Sequence, residues 1–270
     1  MIELLAEMLS YKFLVRAASV GLMVSLCSAL LGVTLVLKRY SMIGDGLSHV
    51  GFGALAAAVA MGASPLGLTI PVVVAAAVLL LRLTDRSGVK GDAAIGLVSV
   101  SSLAAGVTAI SLSGGVNTDV SNYLFGSILA MSESDVSLSL VTSAAVLLLF
   151  ILCYNRIFAV TFDEDFAKAT GINTGLYNMI IAALTGVTIA VGMRLMGALL
   201  ISGLIIFPAV TSMRLFRSFR GVVLSAAAIS LSSFLIGLTL SYAAGMPAGA
   251  SIVLVNLAFF LIFSAAGRAR

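Results

Sequence analysis

The sequence predicts one all-α domain over residues 1–270, a polytopic integral membrane bundle of about eight to nine transmembrane helices. Three observations carry that expectation. The chain is 61% hydrophobic and 10% charged, whereas a soluble globular domain carries about 25% charged residues. Its mean hydropathy is +1.19. Its apolar runs are continuous and about as long as the ~20 residues a helix needs to cross a bilayer, without the period-two alternation of a membrane barrel.

Nine runs qualify, taken in order. Residues 14–37 form the first, ending at Lys38 and Arg39. The second, 42–62, is rich in glycine and carries Asp45 and His49. The third, 66–83, and fourth, 93–112, flank a polar stretch over 84–92. A longer polar stretch, 113–135, leads to the fifth, 135–154, and another, 156–173, leads to the sixth, 174–192. The seventh, 195–213, follows after only Met193 and Arg194, so if one of these two is broken or tilted the number of true spans falls to eight or seven. Pro208 lies inside the seventh run, where it removes a backbone hydrogen bond and is expected to kink the helix. The eighth is 221–243. The ninth, 248–267, begins just after Pro247, a natural helix starter. No soluble domain and no signal peptide are read: Glu3 and Glu7 interrupt the N-terminal stretch.

Charge orients the bundle. Lys38, Arg39, Arg82, Arg86, Lys90, Arg156, Lys168, Arg214, Arg217, Arg220, Arg268 and Arg270 fall on one side; only Lys12, Arg16 and Arg194 fall on the other. The positive-inside rule makes the first side cytoplasmic, with the C-terminus there and the N-terminus outside. The net charge of +4 therefore reflects topology and gives no reason to expect a nucleic acid. Arg194, at an outer helix end, is expected to snorkel to the interface. Cys27 and Cys153 each lie in an apolar run and read as small buried hydrophobes. Glycine and other small residues recur three or four apart, which lets helices pack closely in lipid.

The polar chemistry is concentrated in Gly44-Asp45-Gly46-Leu47-Ser48-His49. His49 is the only histidine. At i, i+4 on a helix, a carboxylate and an imidazole share a face and can share a divalent metal ion. Counted as helix from Arg39, Asp45 lies ~9 Å and His49 ~15 Å along the span. A lone carboxylate at membrane depth costs about 2.5 kcal/mol or more, so something must compensate it. The competing reading is a carboxylate–imidazole hydrogen bond that locks two helices. The nearby Gly44, Gly46, Gly51 and Gly53 fit either close packing or a small hinge.

A second segment, Phe162-Asp-Glu-Asp-Phe-Ala-Lys-Ala-Thr-Gly171, reads as a short capped helix on the cytoplasmic side. Asp163 suits the N-cap, Glu164 and Asp165 the first turn, Lys168 the last turn and Gly171 the C′ position. It is either a surface helix or a coupling helix that docks a cytoplasmic partner through Phe162 and Phe166. No lysine follows a glycine, so no P-loop is present and any ATP must be hydrolysed by another polypeptide. Asp119, Asn122 and Tyr123, in the outer stretch 113–135, are candidates for docking a soluble partner.

These residues resemble the membrane permease of zinc/manganese/iron-type ABC importers, the family that works with a cluster A-I metal-binding protein. The segments that carry the resemblance are Leu37-Lys-Arg-Tyr-Ser-Met-Ile-Gly-Asp-Gly-Leu-Ser-His49, Ser121-Asn-Tyr-Leu-Phe-Gly-Ser-Ile-Leu129, the 162–171 segment, Gly197-Ala-Leu-Leu-Ile-Ser-Gly-Leu-Ile-Ile-Phe-Pro208 and Pro247-Ala-Gly-Ala-Ser-Ile-Val-Leu254. They occur in the family's order over nearly the whole chain. The resemblance implies a type II importer-like bundle in the cytoplasmic membrane. It further implies a homodimer, two cytoplasmic ATP-binding subunits and an extracytoplasmic metal-binding protein. By the same likeness Asp45 and His49 form a metal site in the pathway and 162–171 contacts the ATPase. No permanent cofactor is implied; the transported ion is Zn²⁺ or Mn²⁺, with Fe²⁺ a further candidate. Where the last motif usually carries Ser or Thr after its proline, this chain has Ala248. The alternative function is a proton-coupled secondary metal transporter with Asp45 as the proton carrier. An intramembrane hydrolase is disfavoured, because no nucleophile with a paired base is evident.

Overall fold

A computed structural model describes residues 10–86, 91–112 and 132–267. Asp119, Asn122, Tyr123 and the 121–129 segment lie outside them. Every regular element among the described residues is helical. In chain order these are α1 (Lys12–Leu37), α2 (Ile43–Ala60), α3 (Pro65–Arg86), α4 (Gly91–Leu112), α5 (Glu133–Leu152), α6 (Tyr154–Phe162), α7 (Glu164–Ala169), α8 (Thr174–Leu215), α9 (Phe219–Ala244) and α10 (Ala248–Gly267).

Among the described residues nine stretches are long and apolar enough to cross a membrane, two of them being the arms Thr174–Arg194 and Met196–Leu215 of α8. All nine match the expected runs to within about two residues. The stretch over 156–173 differs, because the chain stays helical through Phe162 and forms α6 before α7.

The centre of the bundle is built from α1, α2 and the two arms of α8, each more than 60% buried, while α3, α4, α5 and α10 turn most of their surface outward. Backbones meet where side chains are absent. A Cβ at Gly32 of α1 would lie 2.1 Å from the Ile205 carbonyl oxygen of α8. Helices α2 and α4 cross with a Cβ at Gly106 placed 2.8 Å from the Gly53 Cα. No larger residue fits such crossings without moving a helix. The α2 glycines thus serve close packing, and the helix runs unbroken through all four of them.

The α8 break is at Gly197, with φ 81° and ψ 162°, a backbone conformation essentially confined to glycine. Pro208 lies within the second arm and keeps helical φ/ψ, so the helix continues through it. The chain reverses at Gly197. A Cβ at Gly192 would lie 2.4 Å from the Ile201 side chain nine residues on, whereas nine residues of straight helix rise ~13.5 Å. At the tip, Arg194 does more than snorkel: its guanidinium pairs with Asp135 of α5 at 2.9 Å. Beside it Arg16 of α1 pairs with Glu133, and Ser132 and Asp135 close a capping box on α5.

Candidate functional site

Helix α1 ends in a tight turn that launches α2. Arg39 sits at φ 63°, left-handed for a non-glycine residue. Its N–H bonds the Val36 carbonyl and the Tyr40 N–H bonds that of Leu35, at 3.1 and 2.8 Å, the pattern of a Schellman cap. Because this turn occupies residues 38–42, α2 starts at Ile43. Asp45 is therefore only two residues, ~3 Å, and His49 six residues, ~9 Å, along the helix. The pair lies nearer the Arg39 end than a helix counted from Arg39 would put it. Asp45 gains from standing in the first turn, where the helix dipole favours a carboxylate.

His49 Nε2 and Asp45 Oδ2 are 3.8 Å apart, beyond hydrogen-bond reach. Their side chains are 27% and 50% exposed, on a partly open stripe of α2 that continues through Gly53 and Ala57. The pair is thus no closed helix clasp. Two ligands each ~2.1 Å from one ion at a tetrahedral angle stand about 3.4 Å apart, within a small side-chain adjustment of the observed spacing. Ser48 is buried and its hydroxyl donates to the Gly44 carbonyl at 2.7 Å, a bond within its own helix. Among the described residues no group of three or more His, Cys, Asp or Glu side chains comes together. The pair alone can hold an ion only loosely.

The 162–171 segment folds as its capping residues dictate. Asp163 accepts from the Phe166 N–H at 2.9 Å, and Gly171, at φ 83°, closes α7 with its N–H on the Lys168 carbonyl. Phe162 and Phe166 are 77% and 65% exposed, two aromatic side chains turned outward together. Ala167 faces inward and is fully buried.

Glu164 turns toward the bundle. It meets Lys38 of the α1 cap at 3.3 Å, Asn178 of α8 at 3.3 Å and Lys168 one turn on at 3.2 Å. Burial pushes its carboxyl up, but Lys38 and the hydrogen bonds from Asn178, Lys168 and Lys38 outweigh it and hold the group below the usual carboxylate range. Lys38 also donates to Asn178 Oδ1 at 2.6 Å, which closes a triangle. Sequence reasoning took Lys38 for a topology-setting cation and passed over Asn178. The available signal was an amide five residues into an apolar run.

A family model described as "ABC 3 transport family" matches residues 10–267. The chain is 30% identical to the high-affinity zinc uptake system membrane protein ZnuB of Haemophilus influenzae, over 93% of this chain and 97% of the relative. It is 30% identical to the manganese transport system membrane protein MntC of Listeria monocytogenes, over 96% and 92%. In fold it is similar to a chain of PsaBC from Streptococcus pneumoniae, solved in complex with Fab, with a TM-score of 0.83 and 30% identity over 97% of this chain and 95% of that one. These matches carry both the family resemblance and the permease fold expected from the sequence.

Proposed function

This chain belongs to the ABC 3 transport family, and we propose that it is the permease through which Zn²⁺ or Mn²⁺, with Fe²⁺ a further candidate, is imported at the expense of ATP hydrolysed by partner subunits. The observation that carries this reading is the open Asp45–His49 pair on α2: a hard oxygen and an imidazole nitrogen, exposed on one stripe of a central helix. Mixed O and N ligands suit all three ions. Two ligands from one chain suit transit, because a closed thiolate-rich site would retain its cargo. In a homodimer the second copy doubles the donor set, and water completes it.

The rest of the reading follows the same chemistry. Alternating access opens the pair first to an extracytoplasmic metal-binding protein and then to the cytoplasm. Phe162, Asp163, Glu164, Phe166 and Gly171 form the coupling loop: two outward phenylalanines seat in the ATPase, and the capped helix gives them a fixed base. The C-terminus is cytoplasmic, as the basic residues demand. Membership of the ABC 3 transport family weighs against a proton-coupled carrier.

Asp45→Ala and His49→Ala are expected to abolish rescue of metal-limited growth while the protein still reaches the membrane at normal levels. Full rescue by both variants removes the pair from the pathway.

A further inference from the structure

We propose that Lys38 is a positioning residue, the strut that joins the α6–α7 coupling loop to the helix bearing Asp45 and His49. The inference rests on the transport reading above and names a part of the machinery that neither the motif nor the capping pattern reveals.

Lys38 and Arg39 are adjacent cations at a helix end, and both would ordinarily reach for water or lipid phosphate. They behave differently here. Arg39 is exposed, whereas the Lys38 side chain is only 13% exposed and turned inward. Its ammonium lies 2.6 Å from Asn178 Oδ1 and 3.3 Å from Glu164 Oε2, and Asn178 Nδ2 donates to the same carboxylate oxygen at 3.3 Å. Each side chain thus touches the other two, and each belongs to a different element: the α1–α2 turn, α7 and α8. Lys168 also reaches Glu164, but it stands on α7 itself and ties that helix to nothing else.

On the other side of Lys38, backbone hydrogen bonds lead through the turn into α2. Arg39 and Tyr40 bond back to Val36 and Leu35, Ile43 bonds to Tyr40, and Gly46 bonds to Met42. Six residues separate Lys38 from Asp45, and the left-handed Arg39 leaves this turn little freedom to flex. A displacement of α7 that pulls on Glu164 therefore pulls on the start of α2, where Asp45 stands in the first turn. The triangle borders a cleft lined by Lys38, Tyr40, Thr161, Glu164 and Asn178, which leaves its members room to exchange partners.

The test uses the intact transporter, permease with its ATPase subunits and its extracytoplasmic metal-binding protein, in proteoliposomes, and reads Zn²⁺ and Mn²⁺ uptake per ATP hydrolysed. Lys38→Met is expected to assemble and hydrolyse ATP while uptake per ATP falls about tenfold, the scale of one lost charge-assisted hydrogen bond. Lys38→Glu combined with Glu164→Lys is expected to recover most of that ratio. An unchanged ratio in Lys38→Met overturns the proposal. So does a parallel loss of uptake and hydrolysis, or failure of both variants to assemble, since each assigns Lys38 to folding alone. If wild type moves neither ion the transport reading itself fails; if it moves them and Lys38→Met is unimpaired, only the strut does.

Discussion

Glu164 shows how one side chain can be both anchored and conditional. Its carboxyl is held below the ordinary value of 4.5 by Lys38, Lys168 and Asn178, against the opposing effect of burial. A lowered folded pKa stabilises the attached loop above the ordinary carboxylate range, and that contribution is lost as pH falls through the lowered value. Acidification below the ordinary value should therefore lower the amide protection factors across 163–171, each taken against the intrinsic exchange rate at that pH, and Glu164→Gln should flatten that response. An identical acid response in wild type and Glu164→Gln would place the sensitive group elsewhere. At this scale the common helix face of Asp45 and His49 was legible from spacing alone, because i, i+4 fixes it. Their distance along α2 was not, because nothing in Leu37–Met42 announces that the chain stops rising there. Lys38 was hidden for a related reason: a cation flanking an apolar run reads the same whether its side chain points outward or inward.

Among the elements, α7 was the most legible and α8 the least. Both caps of α7 were written in residue type, Asp163 at one end and Gly171 at the other. In α8 the conspicuous breaker, Pro208, sits in unbroken helix, while Gly197 lies in a run of small residues that reads equally well as a packing surface. A proline fits helical φ, and the carbonyl it leaves unpaired finds other donors in a packed bundle. The φ of 81° at Gly197 has no such substitute. Gly197→Ala is expected to cost about 1–3 kcal/mol and to lower the apparent Tm of the detergent-solubilised protein, whereas Pro208→Ala should leave the reversal intact. Equal Tm shifts for the two would show that the hairpin does not depend on the glycine.

For the whole molecule, hydropathy made the nine spans legible but not their arrangement. Lipid tails are as apolar as a protein core, so α1 and α8 carry no sequence mark of being central while α4 and α10 lie outside. Counting both arms of α8, the spans among the described residues are odd in number, so the start of α1 and the end of α10 are expected on opposite faces. In a variant with Cys27 and Cys153 replaced by Ala, an impermeant maleimide added outside should label Ser10→Cys and spare Arg217→Cys. The reverse pattern would invert the orientation argued from the basic residues. A final consequence attaches to α2. It is the least apolar of the nine spans, yet among the most deeply enclosed. Its carboxylate, imidazole and glycines make it a poor candidate to leave the translocon for lipid by itself. The five-residue connection to α1 answers that difficulty: the two helices must enter the bilayer as one hairpin, with the strongly apolar α1 carrying its polar neighbour in. The same short turn that would set the ion site in the mature transporter would thus also secure the birth of the helix that bears it.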